Sequence, residues 1–348
     1  MAVTHNTAAN VIENACYTRA RQFLSNDARS GKRLRVMHMK SRSYKIWMII
    51  VVACIAFSPP AGGDASGPQW LAAVYQSIRG KLNDGAADIP LYVRSDEHEG
   101  VFNADVYGIV DYPVRVLVDA LTIPASWCES TTLHPNIKHC TYELQDDSVL
   151  FTFYLARSRK PLRSLQHAYE LKLKFRVLAL SKDYFKVLFE GNEGSMDTRN
   201  HRFQLEAIPV ADSAFVRVKF SYQSHLMSRL ATTIYLGTFS PNRIGFSMVG
   251  IDNDGQPIYV KGNKGLLERH VVRSYLAVIA FMHTRDVPAE DRFEAQMNRW
   301  YDLAERYVLQ LHEMERHEYI EVKRQEREKL RPLQAPVAVR GMHRGDNG

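Results

Sequence analysis

The stretch ASWCESTTLHPNIKHC, residues 125–140, gathers the side chains best suited to chemistry: Cys128, His134, His139 and Cys140. Such a set could hold a metal, pair a nucleophile with its base, or close a disulfide. A structural zinc site wants paired cysteines two to four residues apart, and Cys128 and Cys140 are not so spaced. His139 and Cys140 are adjacent in the strand-like HCTYEL, where neighbours point to opposite faces, so one could ligate but hardly both. A cysteine nucleophile needs a free thiol, which depends on the compartment. Other stretches carry less. GFSMVG (245–250) lacks the G-x-S-x-G spacing and the strand-to-helix elbow of a serine nucleophile. GNEGSMDTRNH (191–201) reads as a hairpin loop on its turn chemistry. His312 and His317 of HEMERH are five residues apart on a helix, where a metal-binding pair wants four. With no glycine-rich phosphate loop either, no cofactor and no metal are expected.

Charge distribution bears on the compartment. Residues 1–45 carry nine Lys/Arg against two Asp/Glu, whereas the other 303 residues carry 36 of each. The net charge of +7 therefore lies ahead of the folded part, which argues against a nucleic-acid partner, since that needs a basic face on the domain itself. Next comes KSRSYKIWMIIVVACIAFSPPAGGDASG. Lys40, Arg42 and Lys45 form a cationic segment, Ile46–Phe57 an apolar run, and 58–65 a breaker-rich stretch. Gly63 and Ala65 are small residues at the −3 and −1 positions of a cut after Ala65. This is the layout of a secretory signal over 39–65, and the apolar run is short of the about twenty residues that span a bilayer. An uncleaved anchor through 46–57, or lipidation at Cys54 in the lipobox-like VVAC, is the alternative. Residues 1–38 are an N-terminal extension without assigned function: either Met37 or Met39 is the true start, or the segment is a disordered tail.

Export, into the periplasm of a bacterium, resolves the opening stretch. After a cut at Ala65, Cys128 and Cys140 are the only cysteines left, and such a pair outside the cytosol is most simply a disulfide. Closing a loop of about a dozen residues stabilises by roughly 3 kcal/mol in the chain-entropy model. The bond would tie a short helix bearing Trp127 to the next strand, leaving His134 and His139 as loop residues without assigned chemistry.

The elements that position these residues follow from periodicity. PQWLAAVYQSIRGKLN (68–83) has a helical stripe opened by Pro68. PLYVRS and GVFNADVYGIVDY are extended, and PVRVLVDALT is a short helix opened by Pro113. From Ser148 to Ser224 the period is two: Leu171, Leu173 and Phe175 alternate with Lys172, Lys174 and Arg176, and Val216, Val218, Phe220 and Tyr222 oppose Arg217 and Lys219. One wet face and one apolar face describe an antiparallel sheet covered on one side. Asn253-Asp254-Gly255 has hairpin chemistry. GLLERHVVRSYLAVIAFMHT (265–284) is a strong amphipathic helix. Residues 288–331 read as one further long helix, with Phe293, Met297, Trp300, Ala304, Tyr307, Leu311 and Met314 in a heptad seam. Its charged second half is expected to project into water, and 332–348 to be disordered.

The passage GIVDYPVRVLVDALTIPASWC, the amphipathic strands 148–224 and the closing helix GLLERHVVRSYLAVIAFM resemble the helix-grip fold of the START/Bet v 1-like (SRPBCC) superfamily over residues 68–284. The fold implied is α+β, a curved antiparallel sheet wrapped on a long C-terminal helix, here with an extra C-terminal amphipathic helix. The resemblance implies an apolar cavity between sheet and helix, bordered by Trp127, with Phe153, Phe175, Phe220, Tyr222, Tyr275 and Ile279 facing inward. It also implies a hydrophobic small molecule or lipid as partner, carried without catalytic turnover. An enzyme on the same fold would use His225, Arg229 or Tyr235 at the cavity mouth. A membrane surface, and a second copy paired through the 293–314 seam, are further partners the sequence allows; a structural envelope protein using the C-terminal helix is a third reading.

Overall fold

The computed structural model describes residues 66–83, 91–156, 160–162, 164–194, 198–224 and 243–330. The signal segment with Cys54 and Ala65, the extension before it, His225, Arg229 and Tyr235, and the tail 332–348 lie outside the described residues. The elements run α1 (Pro68–Asn83), β1 (Leu91–His98), β2 (Val101–Val110), α2 (Val114–Leu121), α3 (Pro124–Thr131), β3 (Ile137–Gln145), β4 (Ser148–Leu155), β5 (Tyr169–Leu180), β6 (Phe185–Glu193), β7 (Thr198–Val210) and β8 (Ser213–Ser224). The small hairpin β9 (Met248–Ile251) and β10 (Pro257–Tyr259) precedes α4 (Gly262–His283), α5 (Ala289–Ala304), α6 (Val308–Leu311) and α7 (Arg316–Leu330).

β1 to β8 form one antiparallel sheet in the order β1-β2-β8-β7-β6-β5-β4-β3. The β1–β2 hairpin closes in two residues, Glu99 and Gly100, both at positive φ, the backbone that matches the twist of paired strands. Between β2 and β3 the chain makes two short helices. Pro113 precedes α2 and Pro124 opens α3, where its missing N–H costs nothing. α4 packs on β1, β2 and β8, with α3 and α5 against its other sides. That strand order, with the long α4 seated on the sheet, is the α+β helix-grip arrangement expected above.

Two expectations are corrected. The face of β8 opposite Val216 is not wet: Arg217 is 3% exposed, and α1 lays Leu71, Ile78 and Leu82 over Tyr107, Ile208 and Phe215 as a second core. Arg217 is sustained there by charge. Its Nε donates to Asp105 Oδ1 (2.7 Å) and an Nη donates to Glu206 Oε1 (2.9 Å), while its guanidinium lies 4.6 Å from the Trp70 ring centre. Glu206 also accepts from Tyr184 OH (2.5 Å).

Residues 288–330 are three helices and not one. The chain leaves helical geometry at His312 (ψ 127°), and α7 folds back onto β3 and α5. Seam residues Met297, Trp300, Ala304, Leu311 and Met314 are buried in the chain's own core, so they are not available to pair with a second copy. The charged half does not project into water. Lys323 Nζ donates to the carbonyls of His134 and Ile137 and to Glu326, and Lys138 pairs with Glu326 from the other side. A buried lysine and glutamate in the helical stripe of Tyr319, Val322 and Leu330 count as polar in a pattern of types, which hid the buried face.

Candidate functional site

Cys128 and Cys140 are joined, with Cα atoms 5.2 Å apart. The bond braces α3 against β3, and α3 carries Trp127. The Trp127 Nε1–H donates to Leu121 O (2.7 Å), fixing the indole against α2, and the ring meets Phe189 edge-on at 4.9 Å. Beyond it, between the sheet and α4, lies a cavity of about 240 Å³. Trp127, Phe153, Phe189, Phe203, Phe220 and Tyr222 supply its aromatic wall, and Leu155, Leu171, Leu173, Leu267 and Val278 the aliphatic part.

Of the residues expected to face inward, Trp127, Phe153, Phe220 and Tyr222 do so. Phe175 does not; it is buried behind the wall, against Phe189 and Trp127. Tyr275 and Ile279 are likewise buried elsewhere in the core. The cavity meets the α4 face of Leu267, His270, Ser274 and Val278, and Tyr275 and Ile279 each lie one residue, about 100°, further round.

The cavity also has a polar arc: Thr131, Asn136, Thr198, His201, His270, Arg273 and Ser274. His201, read from sequence as part of a hairpin loop, stands on β7, 7% exposed and stacked on Tyr222 at 5.8 Å. Its Nε2 is 2.9 Å from Thr198 Oγ1, and its Nδ1 is buried without a partner among the described residues. Burial pushes its pKa down to about 4, against a backbone hydrogen bond at Thr198 that raises it. His270 faces Phe220 at 5.1 Å and His134 at 4.8 Å. Arg273 donates to Leu311 O (3.2 Å) and Glu313 Oε1 (2.8 Å), leaving Nε without a partner among the described residues. Nothing in composition singled out His201, His270 or Arg273. The available signal was that α4 places His270, Arg273 and Ser274 at i, i+3 and i+4, one face of a helix otherwise rich in apolar residues.

His134 lies in the loop between α3 and β3 as expected, though buried, whereas His139 is corrected: it stands in β3 and not in a loop. His134 is fully buried, with Nδ1 accepting from the Asn136 N–H (3.1 Å), and His139 is buried within β3 beside Tyr154. Burial lowers both pKa values, most strongly at His134, where His270, Arg273 and Lys323 add repulsion. Among the described residues there is no cluster of three or more His, Cys, Asp or Glu able to hold a metal, and no helix is long and apolar enough to cross a membrane. Ser247 of GFSMVG is structural: with the Phe246 and Ser247 N–H groups, its hydroxyl satisfies the buried Glu268 of α4.

The neutral histidines give a signed pH dependence. A histidine whose folded pKa lies below the unfolded value of about 6.5 stabilises fully above that value, and the stability is lost as pH falls toward the folded pKa. For His201, moving from pH 7.5 to 5.0 is expected to cost roughly 2 kcal/mol, with His134 adding in the same direction. Urea unfolding at both pH values measures the loss, and His201→Leu should reduce it.

No family model matches the chain, and no curated protein sequence matches it. Its fold is similar to solved structures. One is the STAR-related lipid transfer protein of Xanthomonas axonopodis, 14% identical over 41% of this chain and 80% of that one, with a TM-score of 0.30. Another is Ara h 8.0201, 8% identical over 58% and 99%, TM-score 0.30. A third is norcoclaurine synthase of Thalictrum flavum, 10% identical over 44% and 79%, TM-score 0.26. The helix-grip architecture itself is defined by the strand order and the seat of α4, independently of those scores.

Proposed function

We propose that this chain is an exported binding or carrier protein that takes a hydrophobic small molecule into the cavity under α4 and releases it unchanged. The supporting observation is the cavity itself. A well-packed core has few voids larger than a water molecule, whereas here about 240 Å³ is kept open behind a largely apolar, aromatic wall. Export is supported by the basic–apolar–small layout of 39–65 and by the Cys128–Cys140 bond, a linkage that persists in oxidising compartments.

Native mass spectrometry of the purified full chain, with solvent extraction of what it carries, tests the reading. A bound or exchangeable apolar molecule is expected, and its affinity should fall when Phe220→Glu is placed in the wall. Failure of every apolar probe to bind would remove the proposal. A second reading, an enzyme on the same fold, has one observation in its favour: the polar arc with His201, His270 and Arg273. Chemical conversion of the extracted compound on incubation with the protein would favour that reading.

A further inference from the structure

One end of the cavity is closed by a row of rings, which limits what can enter, on the reading that the cavity binds a ligand. Phe175, Phe189, Phe203 and Phe220 stand opposite one another on β5, β6, β7 and β8, and so share one face of the sheet. The last three border the cavity, and Phe203, in the middle, is the least buried of them. One repeat of the pleat beyond the row, Val187, Leu205 and Val218 are fully buried and form no part of the cavity wall. In the other direction the wall runs only to the strand ends, at Leu155, Leu171 and Thr198. On that side β6 contributes no side chain. Gly191 stands opposite His201, and a Cβ on it would collide with the Lys172 carbonyl and the Leu173 side chain.

The space left between the row and the strand ends is small. An apolar cavity of roughly 150 Å³ admits benzene, so about 240 Å³ corresponds by proportion to about ten non-hydrogen atoms, the size of two fused rings. A sterol or a long acyl chain exceeds that volume and would have to displace the row. The row does not yield freely: Trp127, Phe189 and Phe203 are mutually edge-on at 4.9–6.0 Å, and Phe175 packs on Phe189 at 4.7 Å. We infer that the row is a depth stop set by Phe203, and that it confines the ligand to compact molecules of one or two rings, excluding sterols and long-chain acyl lipids.

Equilibrium dialysis of the full chain against labelled naphthalene, pyrene and palmitate, each below its solubility limit, decides. Naphthalene is expected to bind about tenfold more tightly than either larger probe, the effect of overpacking a filled wall. Phe203→Ala should bring pyrene to within about threefold of naphthalene. Val187→Ala is the control: it removes buried volume from the next row without touching the cavity wall, and should leave the tenfold preference in place. Equal relaxation in both variants would overturn the role given to Phe203. Pyrene or palmitate binding the wild type as tightly as naphthalene would overturn the inference while leaving the cavity reading intact. If none of the three binds, the inference and the proposed function fall together. The wild-type comparison stands even if a variant does not fold.

Discussion

Replacing Arg217 by methionine is expected to lower the unfolding free energy by about 3–5 kcal/mol. The cause is the pair of carboxylates left behind. Asp105 and Glu206 are nearly inaccessible to water, and each accepts directly from the guanidinium that methionine lacks. Arg94 still reaches Asp105, but that side chain is half exposed, and Lys186 stands 3.9 Å from Glu206, so neither replaces a buried guanidinium that bridges both carboxylates. The cation stacked on Trp70 is lost as well, loosening α1 from the sheet. A triple variant, Arg217→Met with Asp105→Asn and Glu206→Gln, should recover at least half the loss, because it removes the unpaired charge and not only its partner. Urea unfolding followed by circular dichroism gives both values. A loss below about 1 kcal/mol for the single variant would show that the network does not hold the two layers together.

Trp127→Ala should cost a comparable amount, about 3–5 kcal/mol. The indole is fully buried at the meeting point of α3, the cavity and the aromatic cluster of Phe175, Phe189 and Phe203. Truncation removes those contacts, opens a void and leaves the Leu121 carbonyl without its donor. Trp127→Phe should cost less, since most of the apolar volume returns while the hydrogen bond does not. The two roles of the residue separate by measurement. Thermal unfolding reports the packing loss, and the largest ring system that still binds reports the cavity, which should grow in Trp127→Ala. Unchanged ligand size in a folded Trp127→Ala protein would place the binding space elsewhere.

Local chemistry made much of this molecule legible. Alternation marked the strands from β4 to β8, proline placement marked the starts of α1 and α2, and the closing helix was read from its own stripe. The disulfide followed from charge distribution and cysteine count, because both bear on compartment without any knowledge of the fold. The misreadings share one origin. Arg217, Lys323, Glu326 and His201 carry polar letters, and a pattern of types places such letters outside. The first three are buried because a partner far along the chain compensates each, Asp105 for Arg217, the His134 and Ile137 carbonyls for Lys323 and Lys138 for Glu326, while His201 is covered by the sheet-and-helix packing with only Thr198 beside it.

The same division explains the site. Which side chains of α4 are apolar is a property of consecutive residues, so the helix was evident. Which of its faces meets the cavity depends on how α4 is rotated between sheet, α3 and α5, and one residue of rotation separates Val278 in the wall from Ile279 in the core. That His201 of β7 and Arg273 of α4 border one space, 72 positions apart, was decided only when sheet and helix closed on each other. Periodicity records that a side chain is buried; only the packed structure records what it is buried against.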